Sequence, residues 1–218
     1  MCFSAEASFG AAVILTAAGA VTLSKCQKKE FLWLASTPLL FGIQQFAEGL
    51  LWLHFQNDLD STLAFYWTKR IFLTFAFLVW PIWIPLAIGL AEKIKFRRYL
   101  IFFDLACGIA LSALNLSYAL KQEILVEIVN HSIQYTGEVP PQTFLYPMIV
   151  LIPCFISTLK KMWIFGTLAL LGYIVAYYFY ATTFVSVWCF FAAIVSLVIY
   201  KIIIDNQTKE SSKSTLSS

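Results

Sequence analysis

A carboxylate at position 48 lies within an apolar run of a 218-residue chain in which only 12% of residues are charged. Within a membrane, an ionisable side chain at the centre of a helix costs at least ~2.5–3.5 kcal/mol and points to function by default. Gln44, Gln45, Glu48 and Trp52 recur at spacings of three and four, so a helix places them on one polar and aromatic stripe. A carboxylate flanked by amides can bind a cation or a proton, or act as an acid or base. The same stripe can also do no more than hydrogen-bond neighbouring helices.

Three further features are expected on the same side of the membrane as Glu48. Cys2 precedes Glu6 by one helical turn, and removal of Met1 leaves an amine and a thiol on one residue, a pair able to chelate zinc or copper. Trp188-Cys189 opens a late apolar run, and Cys189-Phe190-x-Ala192 repeats the pattern Cys2-Phe3-x-Ala5. A disulfide or joint ligation between the two cysteines is conceivable, as is chance similarity in so apolar a chain. Glu127 and His131 are four apart, the spacing at which a carboxylate orients an imidazole in metal and acid/base sites. A solvated surface pair has the same spacing. Glu48, Gln44, Gln45, Trp52, His131 and Trp188 are therefore the candidate binding residues, and Cys2, Glu6, Glu48, His131 and Cys189 the candidate ligands of a zinc or copper ion. Asp104 is a second carboxylate within an apolar run, near Lys93, Arg97 and Arg98, and is expected to form a structural salt bridge by snorkelling of those side chains.

The elements that would position these groups follow from composition. Hydrophobic residues make up 60% of the chain and the mean hydropathy is +0.78, against about 45–50% apolar in a soluble domain. That excludes a water-soluble globule, a disordered chain, a disulfide-stapled module and a nucleic-acid binder. Crossing about 30 Å of hydrocarbon takes roughly 20 apolar residues, and seven such runs can be read, near 3–24, 31–54, 69–91, 99–120, 144–159, 162–183 and 184–204. The expected fold is an all-α polytopic bundle in the bilayer, a single domain over 1–204. Of the 15 Lys and Arg, twelve fall in alternate connections and in the tail, while Lys69, Arg70 and Lys121 fall opposite. The positive-inside rule then sets the N-terminus outside and the C-terminus in the cytoplasm. The first run lacks a preceding basic segment and should remain as an anchor.

Between the fourth and fifth runs, Ile124, Leu125, Ile128, Val129 and Ile133 recur at helical spacing opposite Glu123, Glu127, His131 and Gln134, which predicts an amphipathic helix over about 121–135 lying on the outer surface, ended before Gly137 and Pro140-Pro141. The Ser- and Lys-rich tail, 205–218, is expected to be disordered. Pro81 and Pro85 predict a kink whose freed carbonyls could line a cavity. Gly42 and Gly49 predict close helix approach. Five cysteines without C-x-x-C spacing exclude a zinc ribbon or thioredoxin motif.

The opening Met1-Cys2-Phe3-Ser4-Ala5, the run Pro38-Leu39-Leu40-Phe41-Gly42-Ile43-Gln44-Gln45-Phe46 followed by Glu48-Gly49, the segment Trp80-Pro81-x-Trp83-x-Pro85, His131-Ser132-Ile133 and Phe184-Val185-Ser186-Val187-Trp188-Cys189-Phe190 together resemble an uncharacterised group of bacterial polytopic membrane proteins. The resemblance covers nearly the whole chain. It implies a stand-alone protein of the bacterial inner membrane and lends no activity. Zinc hydrolases of the alkaline-ceramidase type need several histidines, and only His54 and His131 are present. Small sugar transporters carry proline-glutamine pairs within spans, whereas Pro141-Gln142 lies in a loop. Three functions stay open: a binder or carrier of a small solute or cation through an outward-facing pocket, a membrane enzyme acting on lipid or periplasmic substrate, and a structural subunit.

Overall fold

A computed structural model describes residues 4–60, 62–121, 124–136 and 144–215. Helix α1 (Ala5–Lys25) starts where the Ser4 hydroxyl accepts from the Ala7 N–H at 3.2 Å, a standard N-cap. A single turn, Lys29–Phe31, leads through the short α2 (Leu32–Ala35) into α3 (Thr37–Gln56), with Pro38 in the first turn, where its missing N–H is harmless. Helix α4 (Leu63–Thr74) is capped by Thr62 and runs through a five-residue π-turn, Phe75–Val79, into α5 (Trp80–Ala91). Then come α6 (Lys95–Lys121), strands β1 (Leu125–Val129) and β2 (Ser132–Thr136), and helices α7 (Leu145–Ile156) and α8 (Met162–Phe179). A turn at Ala181–Thr183 precedes α9 (Phe184–Val195) and α10 (Val198–Thr215).

Taken as continuous rods, the described helices number seven. Five segments are long and apolar enough to cross a membrane: Ala5–Lys25, Leu63–Ala91, Lys95–Ser117, Met162–Phe179 and Ala181–Thr208. Helix α3 has the length, but Gln44, Gln45, Glu48, His54 and Gln56 lower its hydropathy. Helix α7 is apolar and only 12 residues long. The third rod starts earlier than expected, so Lys69 and Arg70 lie about two turns inside a helix rather than at its first residues.

The segment expected as an amphipathic helix is instead a β-hairpin. Its strands pair antiparallel from Leu125↔Thr136 to Val129↔Ser132, and Asn130 and His131 take φ of 48° and 56°, the left-handed pair that a two-residue hairpin turn requires. The apolar spacing suits a helix, but Val126, Ile128, Val129, Ile133 and Thr136 are β-branched and favour a pleated surface. Ile133 and Tyr135 point inward and are buried, with Gln134 between them on the other face. Together with Ile124 they cover an apolar cluster containing Trp52, Phe72, Phe77 and Cys189. Gly137, Pro140 and Pro141, which were to end the helix, lie outside the described residues.

Helices α1 and α3 are antiparallel and make the most extensive helix pair. A Cβ on Gly19 would meet the Leu39 backbone at 2.6 Å, and one on Gly42 the Thr16 hydroxyl at 2.6 Å, so the glycines bring the two backbones together as in other membrane helix pairs. The π-turn and Pro81 free carbonyls on the α4–α5 rod, and side chains of neighbouring helices take up three carbonyls of this stretch. Tyr146 donates to Ala76 O at 2.5 Å, Asn115 to Phe77 O at 3.0 Å and Ser112 to Leu78 O at 3.0 Å, which answers the demand that backbone polar groups at membrane depth be satisfied within the protein.

At the other end, loops are tied together. Asn206 accepts from the Lys160 N–H at 2.9 Å and donates to its carbonyl at 3.2 Å, Lys161 pairs with Asp205 at 2.7 Å, and Gln207 donates to Lys25 O at 3.3 Å. The start of the tail expected to be disordered is thus the last part of a helix that holds two connections. Glu92, 1% exposed, accepts from the N–H groups of Lys93 and Ile94 (both 2.9 Å), from Thr158 N and Oγ1 (both 2.6 Å) and from Ser157 Oγ (3.1 Å). Burial alone would raise its pKa, but these five donors outweigh it and hold the carboxyl below its ordinary value. A carboxyl depressed in the folded state contributes stability that is full above about pH 4.3 and is lost as pH falls through the folded value. Glu92→Ala should therefore cost at least ~3 kcal/mol at neutral pH, through orphaned buried donors. Melting in detergent from pH ~7 to ~3 should show the variant and the parent converging in acid. Parallel curves would remove Glu92 from that role.

Candidate functional site

Glu48 lies eight residues before the end of α3, about 12 Å along the helix from Gln56. It is fully buried. Its Oε1 accepts from the Ser186 hydroxyl of α9 and its Oε2 from Gln45 Nε2 at 3.1 Å. Gln44, on the adjoining face, accepts from the Trp80 indole N–H of α5 at 2.8 Å. The Cys189 thiol, one turn after Ser186, lies beside Gln44 and within electrostatic reach of Glu48, and Tyr146 of α7 is near that thiol. The stripe read from α3 is therefore the meeting point of α3, α5, α7 and α9.

Hydrogen-bonding capacity in and around the cluster is not used up. Gln44 Nε2, Gln45 Oε1, Trp52 Nε1 and Ser8 Oγ are all buried with no hydrogen-bond partner among the described residues. Ser8 is on the buried face of α1, at the level where a Cβ on Gly49 would meet the Phe9 ring at 2.8 Å. Orphan polar atoms inside a protein each cost about 1–3 kcal/mol, so the spare Gln44 and Gln45 groups beside the carboxylate can bond a polar guest. No lysine, arginine or histidine among the described residues pairs with Glu48.

The expected neighbours divide. Gln44, Gln45 and Cys189 accompany Glu48, and Trp52 is buried one turn further along α3. Trp188 turns the other way: its indole donates to Ala169 O of α8 at 3.3 Å and its ring packs edge-on against Tyr146 at 5.3 Å. Glu6 is exposed on α1. His131 is exposed in the hairpin turn, and in a strand pair Glu127 lies opposite Gln134, not beside His131. Cys2 and Glu123 lie outside the described residues. Cys26, Cys107, Cys154 and Cys189 are free thiols, and no group of three or more His, Cys, Asp or Glu gathers among the described residues. Asp104 does not form the expected salt bridge. The Arg97 guanidinium donates instead to Ile156 O at 2.6 Å, a carbonyl at the end of α7, while Asp104 Oδ2 has no hydrogen-bond partner among the described residues.

Ser186 went unassigned in the sequence, although a lone hydroxyl three residues before Cys189 in an otherwise apolar run shares its helical face. Trp80 was read only as part of a proline kink. Glu92 had no signal, because the partners that tie it across the fold are Ser157 and Thr158, more than 60 positions away.

The sequence profile of a family of unknown function, DUF6629, matches residues 1–214. The chain belongs to DUF6629. No curated protein and no solved structure matches it. Membership brings no activity, so the chemistry open to this DUF6629 protein is what the Glu48 cluster allows: a carboxylate able to exchange a proton or a cation, with amide, hydroxyl, indole and thiol groups that can each bond a small polar guest.

Proposed function

We propose that this DUF6629 protein is a seven-span carrier of the bacterial inner membrane, N-terminus outside and C-terminus cytoplasmic, in which Glu48 takes up and releases a proton in exchange for a small cation. The observation that carries the reading is a wholly buried carboxylate held by two neutral donors and surrounded by polar atoms with bonding capacity to spare. A stripe that only packed helices would spend that capacity on its neighbours. Intramembrane carboxylates in this setting are the usual coupling groups of transporters. The hairpin lies over the cluster on the side of the α1 N-terminus, and the loops tied by Glu92 and Asn206 lie at the opposite end, an arrangement that supports a binding place reached only when one of these ends opens. The twelve Lys and Arg on the tied side support the orientation.

Proteoliposomes containing pyranine, with the membrane potential clamped, give the test. Imposing a sodium gradient should drive protein-dependent proton flux, and the Glu48→Gln variant should not support it. Parent flux no greater than that of empty liposomes, or undiminished flux in the variant, rejects the reading.

A further inference from the structure

A second polar feature lies away from Glu48, and its argument is independent of the carrier reading. Helices α4 and α6 and the first residue of the hairpin segment, Ile124, enclose a cavity of about 240 Å³. Its walls are apolar along Leu73, Phe77 and Leu116, and at one end stand Lys69 and Arg70. Lys69 is buried, donates to Ile124 O at 2.8 Å and lies 5.8 Å from the Phe65 ring centre. The Arg70 guanidinium is stacked 4.6 Å over the Tyr66 ring and is half-buried.

Depth decides what such a site meets. The rod Leu63–Ala91 has 29 residues, about 43 Å at helical rise, against about 30 Å of hydrocarbon. Some 6–7 Å therefore projects at each end, and Lys69 and Arg70, about 9–10.5 Å from Leu63, fall where headgroup gives way to acyl chain. Exposed Tyr66 and Trp67, at 38% and 57%, mark the same level, because such rings settle at the membrane interface. Two cations at headgroup depth, above an apolar wall that descends into the hydrocarbon, complement a molecule with an anionic head and an aliphatic tail. The volume is below the ~300–1,000 Å³ of pockets that engulf a drug-sized ligand, which suits a headgroup with its chain left along the helices.

We infer that this cavity is a binding site for an anionic phospholipid, its phosphate on Arg70 and Lys69 and its acyl chain against Leu73, Phe77 and Leu116.

Native mass spectrometry of the full chain in detergent, titrated with phosphatidylglycerol or with phosphatidylcholine, tests it. Phosphatidylglycerol should bind at least about fivefold tighter, the increment of roughly 1 kcal/mol that a basic residue provides against anionic lipid. Arg70→Gln should erase the preference and Arg70→Lys should keep most of it. Leu116→Trp, at a site 44% exposed and so able to accept the larger ring, should weaken lipid binding by filling the wall, and serves as the deciding variant if Arg70→Gln fails to fold. Equal binding of the two lipids, an unaltered preference in Arg70→Gln, undiminished phosphatidylglycerol binding in Leu116→Trp, or displacement of phosphatidylglycerol by inorganic phosphate alone would overturn the assignment. Glu48→Gln should leave the preference untouched, which keeps this result apart from the flux experiment.

Discussion

Gly108→Val should leave almost no monodisperse protein after extraction. A Cβ at position 108 would fall on the carbonyl oxygen of Pro81, with Ile149 Cγ2 at 3.2 Å on the other side. That oxygen is fixed in place by the helix that carries it and has no N–H of its own to accept, because residue 85, four positions on, is also proline. Close approach of the Gly108 Cα–H gives it a weak partner. A flexible side chain could rotate away from a new methyl, but a backbone carbonyl between two prolines moves only if α5 and α6 separate. Overpacking costs about 1–3 kcal/mol in adaptable cores and more where backbone must shift, so Gly108→Ala should already lower the melting temperature sharply. Gly10→Ala supplies the opposite sign. Nothing lies within 4 Å of a Cβ there, and glycine to alanine within a helix contributes up to about 1 kcal/mol. Fluorescence-detected size exclusion after heating ranks the three variants, and a Gly108→Ala protein as stable as the parent would remove the backbone contact from the argument.

What could be read before folding follows from the range over which each signal acts. The bilayer imposes a local rule, about 20 apolar residues per crossing, so the helical rods, the tight turn before α9 and the glycine face of α3 were all visible in short windows. The stripe of Gln44, Gln45 and Glu48 was visible for the same reason, since a helix fixes its own spacing. The hairpin was misread because the spacing of Ile124, Leu125, Ile128, Val129 and Ile133 fits a helix, and only the β-branched residues of the segment and the left-handed turn at Asn130-His131 point to strands. Moving that segment from helix to strand also removed the supposed Glu127–His131 pair. Partners across the fold had no local trace: Ser186 and Glu48 are 138 positions apart, and Thr158 and Glu92 are 66 apart. Arg70 was expected at the very start of a span, and the structure sets it deeper within a helix because Thr62 caps that helix earlier.

Glu48→Gln is expected to separate charge from packing. The new amide keeps an oxygen for the Ser186 hydroxyl. Its nitrogen would face Gln45 Nε2, donor against donor, but Gln45 Oε1 has no partner, so rotation of the Gln45 amide restores a hydrogen bond. The variant also loses a charge that is costly to bury. Its melting temperature should therefore stay within a few degrees of the parent's, a change below ~1 kcal/mol, while sodium-driven proton flux should fall at least ~100-fold, as the loss of an obligatory charge-exchanging group requires. Glu48→Leu should behave differently, because it strands the Ser186 and Gln45 donors at about 1–3 kcal/mol each and should destabilise the bundle measurably. A purely structural carboxylate predicts the reverse ranking, with flux absent from the parent and glutamine as harmful to stability as leucine. Folded, flux-dead Glu48→Gln beside a flux-competent parent is the pattern that only a charge used in mid-bundle produces.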